Sequence, residues 1–130
     1  MSSEPWIDFT DPNYWYELAE NDLKAASFVL EARKYQLVER KCVQAVVNAM
    51  SGWYVASHDL STLPDQHDLL RFVSDIGLLA VLNEDTQQFL KELSTLDVLL
   101  RSKERTQLEN EQCVPLYEQT REFVAWLMES

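Results

Sequence analysis

Apolar residues recur along this chain at helical spacing, and nowhere does strand-type alternation persist. From about Pro12 to Ala32 a stripe of Trp15, Leu18, Ala19, Ala26, Val29 and Leu30 predicts one helix. From about Tyr35 to Ala56 a second stripe holds Val38, Cys42, Ala45, Val46, Ala49 and Trp53. The connection between them is about two residues, so the pair is expected to fold back as an antiparallel hairpin. A short third helix is predicted over Asp68 to Ile76, stopping near Gly77. A fourth, about Glu84 to Ser102, presents Phe89, Leu93, Leu96, Leu99 and Leu100. A fifth, about Pro115 to Met128, presents Leu116, Tyr117, Phe123, Val124 and Leu127.

Local signals agree with these periods. Asp11-Pro12 offers an N-cap acid and then proline at the first helical position, where its missing N–H is harmless. Asn83-Glu84-Asp85 offers a cap and early acids. Residues 57–66 and Lys103 to Gln112 read as polar connections. The expected fold is therefore all-α: an antiparallel up-and-down bundle of four long helices and one short one, over residues 12–130. Residues 1–11 read as an N-terminal arm, with Trp6, Ile7 and Phe9 available to dock on the body.

The totals narrow the function. The chain has 130 residues, 46% hydrophobic and 25% charged, which fits one globular domain. Two glycines and four prolines leave little material for hairpin turns. A net charge of −11 disfavours non-specific nucleic-acid binding, which needs an excess of Lys and Arg. The bases are unevenly spread: Arg33, Lys34, Arg40 and Lys41 form one group, and Arg101, Lys103 and Arg105 another. Each group reads as solvated helix ends or as a local anion site. Cys42 and Cys113 lie among apolar residues without metal-ligand spacing, so buried free thiols are expected. No secretory leader or apolar run of membrane-spanning length is seen, and a cytoplasmic protein is expected.

Candidate chemistry is sparse. His58-Asp59-Leu60 and His67-Asp68-Leu69 repeat one tripeptide, but helix capping by Asp68 explains the second better than a metal does. No nucleophile elbow or Gly-rich phosphate loop is present, and no cofactor or metal site is expected. Trp15, Trp53 and Trp126 fall on stripes and read as packing. Asp22 is the notable position: a carboxylate within an apolar stripe needs a partner, or else marks a polar pocket between helices.

Trp15, Ala19, Asp22-Leu23 and Ala25-Ala26, then Gln44-Ala45 and Ala49, then His67-Asp68-Leu69, then Leu96 to Arg105 and Val114 to Met128 occur in an order that resembles the HEPN domain family (higher eukaryotes and prokaryotes nucleotide-binding). The resemblance spans about residues 12–128 and implies a helical bundle that tends to dimerise. Ribonucleases of the family resemble one another in an Arg followed four to six residues later by His. Here no His follows His67, so neither Arg101 nor Arg105 can complete that motif. Val47-Asn48 also stands where many members have a Glu-Lys pair.

The expectation is a non-catalytic HEPN-like domain that acts by binding. It would be a homodimer engaging a protein partner or a nucleotide-type ligand. Family analogy suggests a toxin–antitoxin or defence setting, with a minimal nucleotidyltransferase as a possible partner. Asp22, Arg101 and Arg105 are the candidate ligand-binding residues. The alternative is a ribonuclease with a degenerate site built from the same three. Tyr14, Tyr16, Phe28, Tyr54 and Phe72 lie beside or off the main stripes and are candidates for a dimer patch.

Overall fold

The protein is described here by a computed structural model covering residues 8–59, 62–66, 68–101 and 108–129. Among the described residues five α-helices follow in order: α1 (Pro12–Glu31), α2 (Tyr35–Val55), α3 (Leu69–Asp75), α4 (Glu84–Arg101) and α5 (Asn110–Glu129). A single 3₁₀ turn, Leu79–Val81, lies between α3 and α4. There is no strand among the described residues.

The predicted caps are in place. Asp11 accepts the Asn13 N–H at 2.9 Å, Asp68 accepts that of Arg71 at 3.4 Å, and Asn83 accepts that of Thr86 at 2.8 Å. Three residues, Ala32 to Lys34, turn α1 into α2. The Arg33 N–H donates to the Leu30 carbonyl and the Lys34 N–H to that of Val29, the paired bonds of a Schellman cap. Arg33 holds the left-handed position of that cap, at φ 62°, which glycine usually fills. Gly77 does fill it at the end of α3, at φ 81°.

One boundary differs from expectation. α5 starts at Asn110, five residues before Pro115, which lies inside the helix. The start is made by Glu109 and Gln112. The Glu109 carbonyl receives the N–H groups of Gln112 and Cys113, while the Gln112 side chain reaches back to accept the Glu109 N–H at 3.0 Å. Pro115 then forfeits only a bond to the exposed Glu111 carbonyl, which water can satisfy.

α2 is the axis of the core: Val38, Cys42, Ala45, Val46, Ala49 and Met50 are fully buried on it. α1 packs antiparallel through Ala19 and Ala26. Near its start α1 comes so close that a Cβ on Gly52 would lie 2.6 Å from the Tyr16 ring. α5 runs parallel to α2, since the Cys113 thiol meets the Tyr35 carbonyl at 3.6 Å while Thr120 meets Cys42. α4 opposes both, with Phe89 near Phe123 at one end and Asp97 against Glu39 at the other.

The five candidate interface aromatics do not form one exposed patch. Phe72 is fully buried on the inner face of α3. Tyr54 is buried, with its ring stacked on His58 at 4.2 Å and its hydroxyl bonded to Thr62. Tyr14 and Tyr16 are half-buried along α1, so Phe28 alone stands out, at 72% exposure.

Candidate functional site

Helical periodicity turns two acids inward at the same level of the bundle. Glu39 lies three residues before Cys42 and seven before Val46, on the buried side of α2. Asp97 lies four residues after Leu93 and eight after Phe89, on the buried side of α4. Glu39 is 2% exposed and Asp97 6%. Their carboxyl groups hydrogen-bond, and two buried carboxylates in contact cannot both be ionised. Burial first, and then the Asp97 hydrogen bond and charge, push the Glu39 pKa up to about 8, with Arg40 and Arg101 pulling the other way. Glu39 therefore holds a proton at neutral pH and donates it toward Asp97.

Arg101 closes the cluster on its outer side. Its Nε lies 3.1 Å from Asp97 Oδ2, one helical turn away on α4, and its side chain is partly exposed. The other oxygen of Glu39, Oε2, is buried with no hydrogen-bond partner among the described residues. One turn deeper, burial pushes the Cys42 thiol up to about 12, with Thr120 in hydrogen-bond contact. Burial also raises Cys113. Both thiols thus stay protonated and are poor nucleophiles at neutral pH. The described residues contain no group of three metal-ligating side chains.

Asp22 occupies the opposite side of α2. The Asn48 amide donates to its Oδ2 at 2.7 Å, so the stripe acid has a structural partner. Burial raises the Asp22 pKa, against the Asn48 bond and the Lys41 charge. Asn48 is nine residues after Glu39. At about 100° and 1.5 Å per residue, that is half a rotation and about 13 Å along the helix. Asp22 and Arg101 are therefore on opposite faces of α2 and do not form one site. Arg105 and His67 lie outside the described residues. The first basic group is likewise split: Arg40 acts on Glu39, Lys41 acts on Asp22 and contacts Gln44, and Arg33 sits in the turn.

A groove of about 330 Å³ lies at the far end, between the start of α4 and the end of α5. Three rings step down into it: Trp126, then Phe123, then Phe89, each centroid 6.2 Å from the next. Its rim includes Asp85 and Glu122.

Glu39, Asp97 and the groove were not singled out from sequence. A signal existed for the acids: each falls at helical spacing from buried apolar positions, as Asp22 does.

An up-and-down helical bundle with an inward-facing polar cluster places the protein among small α-helical domains. Residues 12–130 match the model of the HEPN domain, and the chain belongs to that family. No curated protein and no solved structure matches it. No helix among the described residues is long and apolar enough to cross a membrane.

Proposed function

We propose that this HEPN domain acts by binding and does not cleave RNA. It works as a homodimer that engages a protein partner, such as a minimal nucleotidyltransferase, or a nucleotide-type ligand, in a toxin–antitoxin or defence setting. The observation that carries the reading is the distance between Arg101 and His58, the histidine among the described residues. Arg101 pairs with Asp97 at the Glu39 end of α2, whereas His58 stacks on Tyr54 beyond the other end of that helix. The sixteen steps along the helix from Glu39 to Val55 span about 24 Å at 1.5 Å each. A proton-transfer group must come within hydrogen-bond reach of the reacting atoms.

Dimerisation is supported by exposed apolar side chains at the α1–α2 turn end. Phe28, Leu37, Val98 and Val114 all lie in the helical turns that meet there. Two acidic copies repel, but physiological salt screens that repulsion over about 8 Å.

One observation favours a ribonuclease with a degenerate site: Glu39 has the raised pKa of a general acid and lies beside an arginine. Its burial opposes this, because a phosphodiester cannot reach a carboxyl sealed between α2 and α4. Incubating the purified protein with single-stranded RNA decides between them. No cleavage is expected. Cleavage that disappears in Arg101→Ala and in Glu39→Gln would establish the enzyme instead.

A further inference from the structure

We propose that the buried Glu39–Asp97 pair is a proton-operated latch on the second half of α4. While one proton is shared, residues 94–101 lie closed on α2. When it leaves, they part from α2 and the rest of the bundle stays folded. The device operates whether the domain binds or cleaves, so it goes beyond the reading above and does not rest on it.

The inner stripe of α4 changes character halfway along. In the first half Phe89, Leu90 and Leu93 are buried. The Gln87 amide also ties the first turn to the Leu79 and Leu82 carbonyls, at 3.3 and 2.9 Å. In the second half the buried side chains are Ser94 and Asp97, both polar. Leu96 and Leu100 are half-buried there, and Val98 is 61% exposed. A segment with few buried apolar contacts opens at low cost. Ser94-Thr95 marks the boundary, where hydroxyl side chains compete for backbone hydrogen bonds and weaken the helix.

The contact that closes this half depends on one proton. Asp97 and Arg101 act on Glu39 from α4, and Arg40 acts on it from its own helix. α5 brings neutral groups: the Cys113 thiol against the Tyr35 carbonyl, about one turn before Glu39, and Thr120 against Cys42, about one turn after. α1 meets the opposite face of α2, where Asp22 takes the Asn48 amide. The two arginines do not offset the second carboxylate, since Glu39 still rises from 4.5 to about 8. Its Oε2 is buried without a hydrogen-bond partner among the described residues, and opening would hydrate it. Once both acids are ionised they repel across a seam of low dielectric. Parting a weakly packed half-helix relieves that repulsion at less cost than unfolding the apolar core around α2.

The test is amide hydrogen exchange of the full chain, resolved by proteolytic fragments and corrected for the intrinsic pH dependence of exchange. The closed state binds one proton more than the open state, so between 4.5 and about 8 the opening equilibrium gains about tenfold per pH unit. Opening of residues 94–101 should rise about a hundredfold from about pH 5.5 to about pH 7.5. Residues 42–50 of α2 should stay better protected at every pH. Glu39→Gln, whose amide donates to Asp97 at any pH, should flatten the rise. Asp97→Asn removes the second carboxylate and should also flatten it, which keeps the test decisive if the glutamine variant folds poorly. Asp22→Asn, on the opposite face, should leave the rise unchanged. Opening that is independent of pH, that keeps its rise in both latch variants, or that loses it in Asp22→Asn overturns the proposal. So does exchange of residues 42–50 in step with residues 94–101, which would make the event unfolding of the whole molecule.

Discussion

α2 meets an acid on each of two opposite faces, and the two contacts satisfy that acid in different ways. Toward α1, Asp22 is half-buried and receives the Asn48 amide. Toward α4, Glu39 is sealed in and meets another carboxyl, Asp97. An amide donates its hydrogen whatever the pH. A second carboxyl can do so only while one of the pair keeps its proton. The first contact is therefore a fixed tie, and the second holds only in one protonation state. Arg101 pairs with Asp97 of the second, so this candidate ligand-binding arginine is held in the proton-dependent contact.

The largest expected effect is on the pH profile of stability. Folding raises Glu39 from 4.5 to about 8, so between those values the native state binds more protons than the unfolded state. Stability from this group is full below the lower value and is lost as pH rises through the upper one. Urea denaturation at about pH 5.5 and about pH 8.5 should differ by roughly 3 kcal/mol, because each tenfold gain in proton affinity on folding is worth about 1.4 kcal/mol. Glu39→Gln should flatten most of that slope. If the slope survives the substitution, the proton is held elsewhere.

Next in size is Asp97→Ala. It leaves the Glu39 carboxyl buried without Asp97 and removes the Asp97–Arg101 ion pair, and should destabilise the fold by about 2 kcal/mol in urea at neutral pH. Asp22→Ala should lose only about 1 kcal/mol, because the half-buried Asn48 amide can turn to water. A loss from Asp22→Ala equal to that from Asp97→Ala would erase the distinction between the two faces.

Much of the fold was legible because stripes and caps are local. The α1 and α2 patterns repeat over many turns, and Asp11, Asp68 and Asn83 each act within three residues of themselves. The start of α5 was obscured because Pro115 resembled a first helical position, while the true start lay in a polar run whose Glu109 and Gln112 carry no apolar period. Asp22 was visible as a polar residue inside a stripe. Its partner Asn48 was not, since the alignment of one helix on another is set by how side chains interlock and not by either helix's own spacing. The same applies to Glu39 and Asp97, which become a pair only once α4 lies against α2. Phe72 was misplaced because a short helix offers too few turns to reveal which side faces inward. The groove belongs to the junction of two helix ends, where no single pattern runs.

The three-residue turn at Arg33 also has a bearing on how the chain reaches its folded state. Joining α1 to α2 closes a very small loop, whereas bringing Cys113 to Tyr35 spans 78 residues. Loop-closure entropy grows with the logarithm of length, and between these two lengths it differs by roughly 3 kcal/mol. The hairpin is thus the low-entropy-cost event of assembly, and the docking of α5 is the long-range one. The buried thiols of Cys42 and Cys113 lie on the surfaces that α5 and α2 present to each other, so it is this long-range closure that brings the two helices together over them.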